Sequence, residues 1–198
     1  MTQDSRASTL ILGTRNPHKV REMARLLEPA GIVVLSIPAE VEFPPEVGST
    51  FSENALPKAQ AAAAATGQPS IADDSGIESA ALGGAPGVRS ARYAGPRATD
   101  QENLELFIRE VPVGDGLRYV CALAYVDPKA GIERIFCGYC EGRMAPGPRG
   151  SGGFGYDPVF IPQATGDTRT MAELSDEEKD SLSHRGDAAR NFLSWRSP

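Results

Sequence analysis

The stretch STLILGTRNPHKV, residues 8–20, decides how the chain is read. Its first part, 8–13, is a short apolar run of the kind that forms a buried strand. Asn16 then offers a helix N-cap, with Pro17 at the first helical position. Val20, Met23, Ala24 and Leu27 recur at helical spacing, which predicts a helix over 17–28. A strand leading straight into a capped helix is the opening of an α/β protein.

The rest of the chain extends that pattern. A second strand is expected over 32–37 and a helix over 51–65, started by a Thr50/Glu53 capping box. Pro57 inside that helix costs about 3 kcal/mol, which leaves open a bend there or a later start near Leu56. A third strand over 70–73 is expected to end in a turn at Ser75-Gly76. Thr99 and Glu102 cap a helix over 99–110, and strands over 117–126 and 132–142 form a hairpin about 127–131. Ser175 and Glu178 cap a short helix over 176–181, and a last helix covers 184–195. Strands and helices alternate at both ends around the hairpin, which predicts an α/β fold with a mixed sheet and an inserted lobe.

Composition narrows the function. The chain has 198 residues, 40% of them hydrophobic, enough for one domain with a real core. The net charge of −6 argues against a nucleic-acid partner, because duplex binders carry a basic excess. It leaves room for a small anion held by a few local cations. No run of about 18 apolar residues occurs, so no membrane span is expected. Residues 1–8 are polar, lack an apolar signal core and are expected to be flexible, which predicts a cytoplasmic protein. Cys121, Cys137 and Cys140 are too few for a disulfide framework. Cys137 and Cys140 fall on opposite faces of a strand, so buried structural thiols are expected rather than a redox or zinc site.

Four segments carry chemistry. Thr14-Arg15-Asn16-Pro17-His18-Lys19 sits at a helix start, where free N–H groups and Lys19 suit a phosphate. It also reads as an ordinary capped helix, and it is no Walker A loop. Asp73-Asp74-Ser75-Gly76, with Glu53 on the preceding helix, could hold Mg²⁺. A carboxylate there could also take a proton from water. The plain alternative is an Asx-type turn, with Glu53 only a capping partner. Phe154-Gly155-Tyr156-Asp157 follows a glycine loop, where a ring can stack on a base and an acid can accept from one. Alternatively Phe154 and Tyr156 are core residues. A dinucleotide fingerprint is absent, and Pro158 and Val159 predict an extended segment. Lys179, His184 and Arg185 form a donor cluster suited to a base carbonyl or to phosphates.

TRNPHK (14–19), FSENALPKA (51–59), IADDSG (71–76), LGGAPGVRSARYAG (82–95), GFGYDPVF (153–160) and LSHRG (182–186) occur in order along the chain. Together they resemble the inosine triphosphate pyrophosphatase family of purine dITP/XTP pyrophosphatases. The resemblance implies one two-lobed domain over 1–198, with a long central sheet and the active-site cleft between the lobes. Residues 112–145, which carry little of the match, would be the hairpin of the second lobe. It implies Mg²⁺-dependent hydrolysis of dITP, ITP or XTP to the monophosphate and pyrophosphate, clearing deaminated purines from the nucleotide pool. A homodimer is also implied. By position, residues 14–19 would grip the triphosphate, and Glu53 and Asp74 would hold the metal. Asp74 would accept the proton of the attacking water, with Asp73 in support. Ser75 would touch the substrate. Phe154 would stack on the base, with Gly155, Tyr156 and Asp157 completing that wall, and Lys179, His184 and Arg185 would meet the base edge. Pro57 departs from the ordinary helix former usual there. A regulator that binds the nucleotide without turnover is the competing class.

Overall fold

A computed structural model describes residues 9–197. The expected flexible stretch 1–8 lies outside the described residues. The elements run β1 (Thr9–Leu12), α1 (Pro17–Leu27), β2 (Val33–Ser36), α2 (Phe51–Thr66), β3 (Ser70–Ser79), α3 (Asp100–Glu110), β4 (Gly116–Asp127), β5 (Ile132–Met144), β6 (Phe160–Pro162), α4 (Asp176–Leu182) and α5 (His184–Arg196). The six strands form one mixed sheet in the order β2-β1-β3-β4-β5-β6. β1 pairs in parallel with both β2 and β3, whereas β5 and β6 are antiparallel. This is the α/β class expected.

Helix ends form where the side chains demand them. Asn16 Oδ1 accepts from His18 N at 2.9 Å and starts α1 with Pro17 behind it. The helix closes at Leu27, one residue early, and the chain continues as a 3₁₀ turn through Pro29. The residue before a proline disfavours further α-helix. α2 begins at Phe51 with the Thr50/Glu53 box complete and runs unbroken through Pro57. Pro57 denies the Glu53 carbonyl its helical donor, yet the buried face of Phe51, Ala55, Ala59 and Ala62 keeps the helix in one piece.

Two local expectations are corrected. Ser75-Gly76 is no turn: β3 continues through it to Ser79. The strand lies between β1 and β4 and is buried along most of its length, so ladder bonds and burial override the turn preference of Asp-Ser-Gly. Pro158 and Val159 are not extended but form a 3₁₀ turn, Asp157–Val159, with Val159 N bonded to Tyr156 O at 3.1 Å. The fixed φ of Pro158 suits the first turn of such a helix.

The chain divides into two compact units. The first comprises the chain up to Asp74, Ala122–Cys137 and Ala188 to the end. Its core includes Ile11, Ile37 and Ala62 with Phe43, and a ring cluster of Tyr125, Phe136, Phe192 and Trp195. The second comprises Ser75–Cys121 and Gly138–Asp187. Ile77, Phe107, Leu117, Tyr119, Tyr156 and Phe160 make its core. The β4–β5 hairpin is therefore shared, its tip belonging to the first unit and its base to the second.

All three cysteines are free. Cys121 and Cys140 are buried and Cys137 half-buried, as alternate positions on a strand require. Burial pushes the Cys140 thiol up to about 12.

Candidate active site

The first unit gathers its charges around the middle of β3, at Asp73 and Asp74. Successive side chains of a strand point to opposite faces, and the neighbouring acids obey this. Asp73 meets Lys19 of α1, with Lys19 Nζ 2.9 Å from Asp73 Oδ2. Asp74 meets α2: Asn54 Nδ2 donates to its Oδ2 at 3.1 Å, and Lys58 Nζ stands 3.6 Å from its Oδ1. Right-handed crossovers on either side of β1 put α1 and α2 on opposite faces of the parallel strands, which is why each acid finds a different lysine. Burial raises the Asp74 carboxyl above its usual range, against the opposing pull of Lys58 and Lys19. Burial pulls Lys58 down, but Asp74, Asp73 and Glu46 outweigh it and hold the ammonium above its usual value.

The hydrogen bonds of Glu53 run to its own helix cap. Its Oε2 accepts from Ser49 N at 2.7 Å, Ser49 Oγ at 2.9 Å and Thr50 N at 3.2 Å. Those bonds, Ser49 foremost, hold its carboxyl below the usual range. The capping reading of Glu53 is thus what the geometry contains. The carboxylate that does reach the cluster is Glu46, whose Oε1 accepts from Lys58 Nζ at 2.7 Å. Gly48 makes that approach possible, since its N–H bonds Asn54 Oδ1 at 2.8 Å and a Cβ there would fall 2.6 Å from Glu53 Cβ. Glu46, Asn54 and Lys58 are the residues that sequence reasoning missed or left unplaced.

The helix start of α1 is closed by its own side chains. Asn16 Oδ1 caps the N–H groups of His18 and Lys19, and Thr14 Oγ1 accepts from Asn16 N at 3.2 Å. Arg15 turns away from the helix start. Its guanidinium donates to the Ala39 and Val41 carbonyls and lies over the Phe43 ring. His18 Nδ1 lies 2.9 Å from the Arg21 guanidinium.

The second unit carries the aromatic wall. Lys179 Nζ donates to Asp157 Oδ2 at 2.7 Å. The same oxygen accepts from Phe154 N at 2.9 Å, and Oδ1 accepts from the Tyr119 hydroxyl at 3.0 Å. Asp157 therefore points inward and fixes the loop, instead of presenting an acceptor to a base. Tyr156 is core: its ring packs edge-on to Phe107 and its hydroxyl donates to Ser90 O at 2.7 Å. Phe154 is half-buried, with Lys179 Nζ 5.2 Å and the Arg185 guanidinium 5.9 Å from its ring centre. Gly155 follows at φ 60°, a left-handed turn that suits glycine. Arg185, almost fully buried, donates to Ser75 Oγ at 2.9 Å. His184 stacks on Tyr119, with ring centroids 4.6 Å apart.

An α/β sheet protein with an acid–lysine cluster along its third strand and a cation-flanked aromatic ring has the donor chemistry of a nucleotide-handling protein. A family model of the Ham1 family matches residues 10–195. A dITP/XTP pyrophosphatase of Cutibacterium acnes is 46% identical over 194 residues, covering 94% of this chain and 95% of the relative. One from Yersinia pestis is 48% identical, covering 93% and 95%. A HAM1 protein of Coxiella burnetii has a similar solved structure, with a TM-score of 0.80 and 39% identity, covering 96% of this chain and 98% of that one. The Staphylococcus aureus Ham1 protein gives a TM-score of 0.79 at 36% identity over 95% and 97%. The chain belongs to the Ham1 family.

Proposed function

We propose that this protein hydrolyses non-standard purine nucleoside triphosphates, dITP, ITP or XTP, between the α and β phosphates, releasing the monophosphate and pyrophosphate. The observation that carries the reading is Asp74: a buried carboxylate held by Asn54 and Lys58 in a chain nearly half identical to dITP/XTP pyrophosphatases. Removing deaminated purines from the nucleotide pool, in the cytoplasm, is the role that follows.

The α1 start, residues 14–19, meets the triphosphate through Lys19 and the positive end of the helix, the His18 and Lys19 N–H groups being taken by Asn16 Oδ1. A substrate bearing about four negative charges is offset locally by Lys19 and Lys58 despite the net negative protein. Asp74 takes the proton of the attacking water, and its raised carboxyl range suits a base better than an ordinary surface acid would. Asp73 keeps Lys19 in place.

Mg²⁺ is the cofactor of this reading. The available ligands are carboxylate oxygens, which suit a hard cation. Among the described residues no three His, Cys, Asp or Glu side chains gather, so substrate oxygens would complete the shell. Asp74 and Glu46 would hold the ion, with Glu53 the capping residue beside them. When bound it supplies Lewis-acid stabilisation of charge on the phosphates.

Phe154 stacks on the base, with Gly155 and Tyr156 shaping its loop and Asp157 holding it. Lys179, His184 and Arg185 turn donors toward the base edge, and Ser75 meets the substrate. Donors aimed at a 6-oxo group lose their partner on adenine, and a site built on such bonds can reject the analogue by about 10⁴-fold or more. A homodimer, and a single two-lobed domain over 1–198, complete the reading.

The test is pyrophosphate release from dITP, dATP and dGTP with Mg²⁺. Faster release from dITP supports the reading. Orthophosphate as the product, or equal rates on dATP, would overturn it. Tight ITP binding without product would make the protein a regulator.

A further inference from the structure

Phe154 rides on a glycine loop that is fastened at both ends. Arg149 N donates to Pro158 O at 2.9 Å, closing the segment between them. Midway, Gly152 N donates to Ala172 O at 2.9 Å. Gly150 lies so close to that neighbour, at φ 80°, that a Cβ would fall 2.3 Å from Ala172 O. The segment 168–173 is therefore the bed on which the loop lies.

The bed is tied to the loop by one small network. Thr170 is fully buried, and its hydroxyl donates to Arg149 O at 2.8 Å. Glu173 Oε2 accepts from Thr170 N at 2.7 Å and from Arg149 Nε at 3.1 Å. The Arg149 guanidinium also donates to Thr168 O. Arg149 is thus held by its N–H, its carbonyl and its side chain at once. Neither Thr170 nor Glu173 is among the residues that meet the nucleotide.

We infer that Thr170 and Glu173 are positioning residues which, through Arg149, fix the loop register that presents Phe154 to the base. The inference rests on the proposed stacking role of Phe154. Loss of the Thr170 hydroxyl leaves the part-buried Arg149 carbonyl without that donor, and the loop relieves it by shifting. A shift of about 1 Å at a recognition surface can cost up to 10²-fold. The cost falls on substrate binding, because Asp74 and Lys58 are held by other elements.

The experiment compares dITP kinetics for Thr170→Val, Thr170→Ser, Glu173→Gln, Phe154→Ala and the Thr170→Val/Phe154→Ala double variant. Thr170→Val is expected to raise KM about tenfold with kcat within about twofold. Thr170→Ser, which keeps the hydroxyl, restores wild-type KM. Glu173→Gln, at an exposed position, raises KM in the same direction and carries the test if Thr170→Val does not fold. The double variant matches Phe154→Ala alone, because both changes remove one function. If Phe154→Ala raises KM while Thr170→Val and Glu173→Gln leave it unchanged, or if the effects add, the positioning role is overturned and the stacking reading stands. If Phe154→Ala leaves KM unchanged, the stacking reading falls and this inference with it.

Discussion

Lys179 and Asp157 form an ion pair at 2.7 Å with side chains only 6% and 4% exposed. Gly153 is what lets them close, for a Cβ there would fall 2.0 Å from Asp157 Oδ2. The pair does not float in the core: Asp157 also receives Phe154 N and the Tyr119 hydroxyl, so both carboxylate oxygens are bonded. Breaking one partner of a buried pair leaves the other charge without compensation, which costs about 3–5 kcal/mol. Asp157→Asn is expected to lower Tm by roughly 10 °C, read by a thermal melt. A shift below a few degrees would mean that water replaces the lost charge.

Asp74 sits where a proton acceptor is needed, but its removal leaves Lys19, Lys58 and the α1 start in place. Asp74→Asn is expected to cut kcat by about 10²–10⁴-fold while calorimetry with dITP and Mg²⁺ still detects binding. Unchanged turnover would remove Asp74 from the mechanism.

Glu46 and Glu53 are predicted to separate cleanly. Glu46→Gln should raise the Mg²⁺ concentration needed for half-maximal activity. Glu53→Gln should lower Tm slightly, since its carboxylate is bonded to Ser49 and Thr50, and leave the Mg²⁺ requirement close to wild type. The opposite pattern would return the metal to Glu53.

Pro57 interrupts the hydrogen-bond ladder of α2. Pro57→Ala is expected to stabilise by ~1–2 kcal/mol, the restored bond outweighing the extra freedom of the unfolded chain. Denaturant unfolding reads it, and a destabilised variant would show that the ring packs better than the bond it forbids.

Cys140 has a pH signature. Its thiol rises from 9.0 to about 12 in the fold, mainly through burial. The folded state therefore holds the proton more tightly, so this group's stabilisation is complete below pH 9 and is lost as pH climbs toward 12. Tyr93, also raised to about 12 by burial and by Glu110, acts in the same sense. Unfolding free energy should fall between pH 9 and 11, less steeply in Cys140→Ala. In native protein at pH 8 a thiol reagent should spare Cys140 and Cys121 and find all three cysteines only after unfolding.

Much of this molecule can be read from its letters because short-range chemistry determines it. Thr50 with Glu53, Thr99 with Glu102 and Ser175 with Glu178 each form the reciprocal cap that their spacing announces. What could not be read depends on partners distant along the chain. Asp-Asp-Ser-Gly has turn propensity, and only the strands on either side of β3 make it a strand. Glu46 stands in a proline-rich segment with no motif of its own, and its meaning comes from Lys58. Asp157 reads in the sequence as an acceptor for a base, and only the fold puts Lys179 and Tyr119 on it. Family resemblance supplied which residues belong together, and geometry supplied which way they face.

The division into units has a consequence for biosynthesis. The polypeptide leaves the first unit at Asp74, returns for Ala122–Cys137, departs again and comes home only at Ala188. A nascent chain emerging from the ribosome thus completes the second unit's sequence at Asp187, before Tyr125 and Phe136 of the first unit have received Phe192 and Trp195. The part made first is the part finished last. Truncations at the carboxyl end should therefore damage the first unit, and a stalled chain ending near Asp187 should expose the ring cluster of Tyr125 and Phe136 that α5 normally covers.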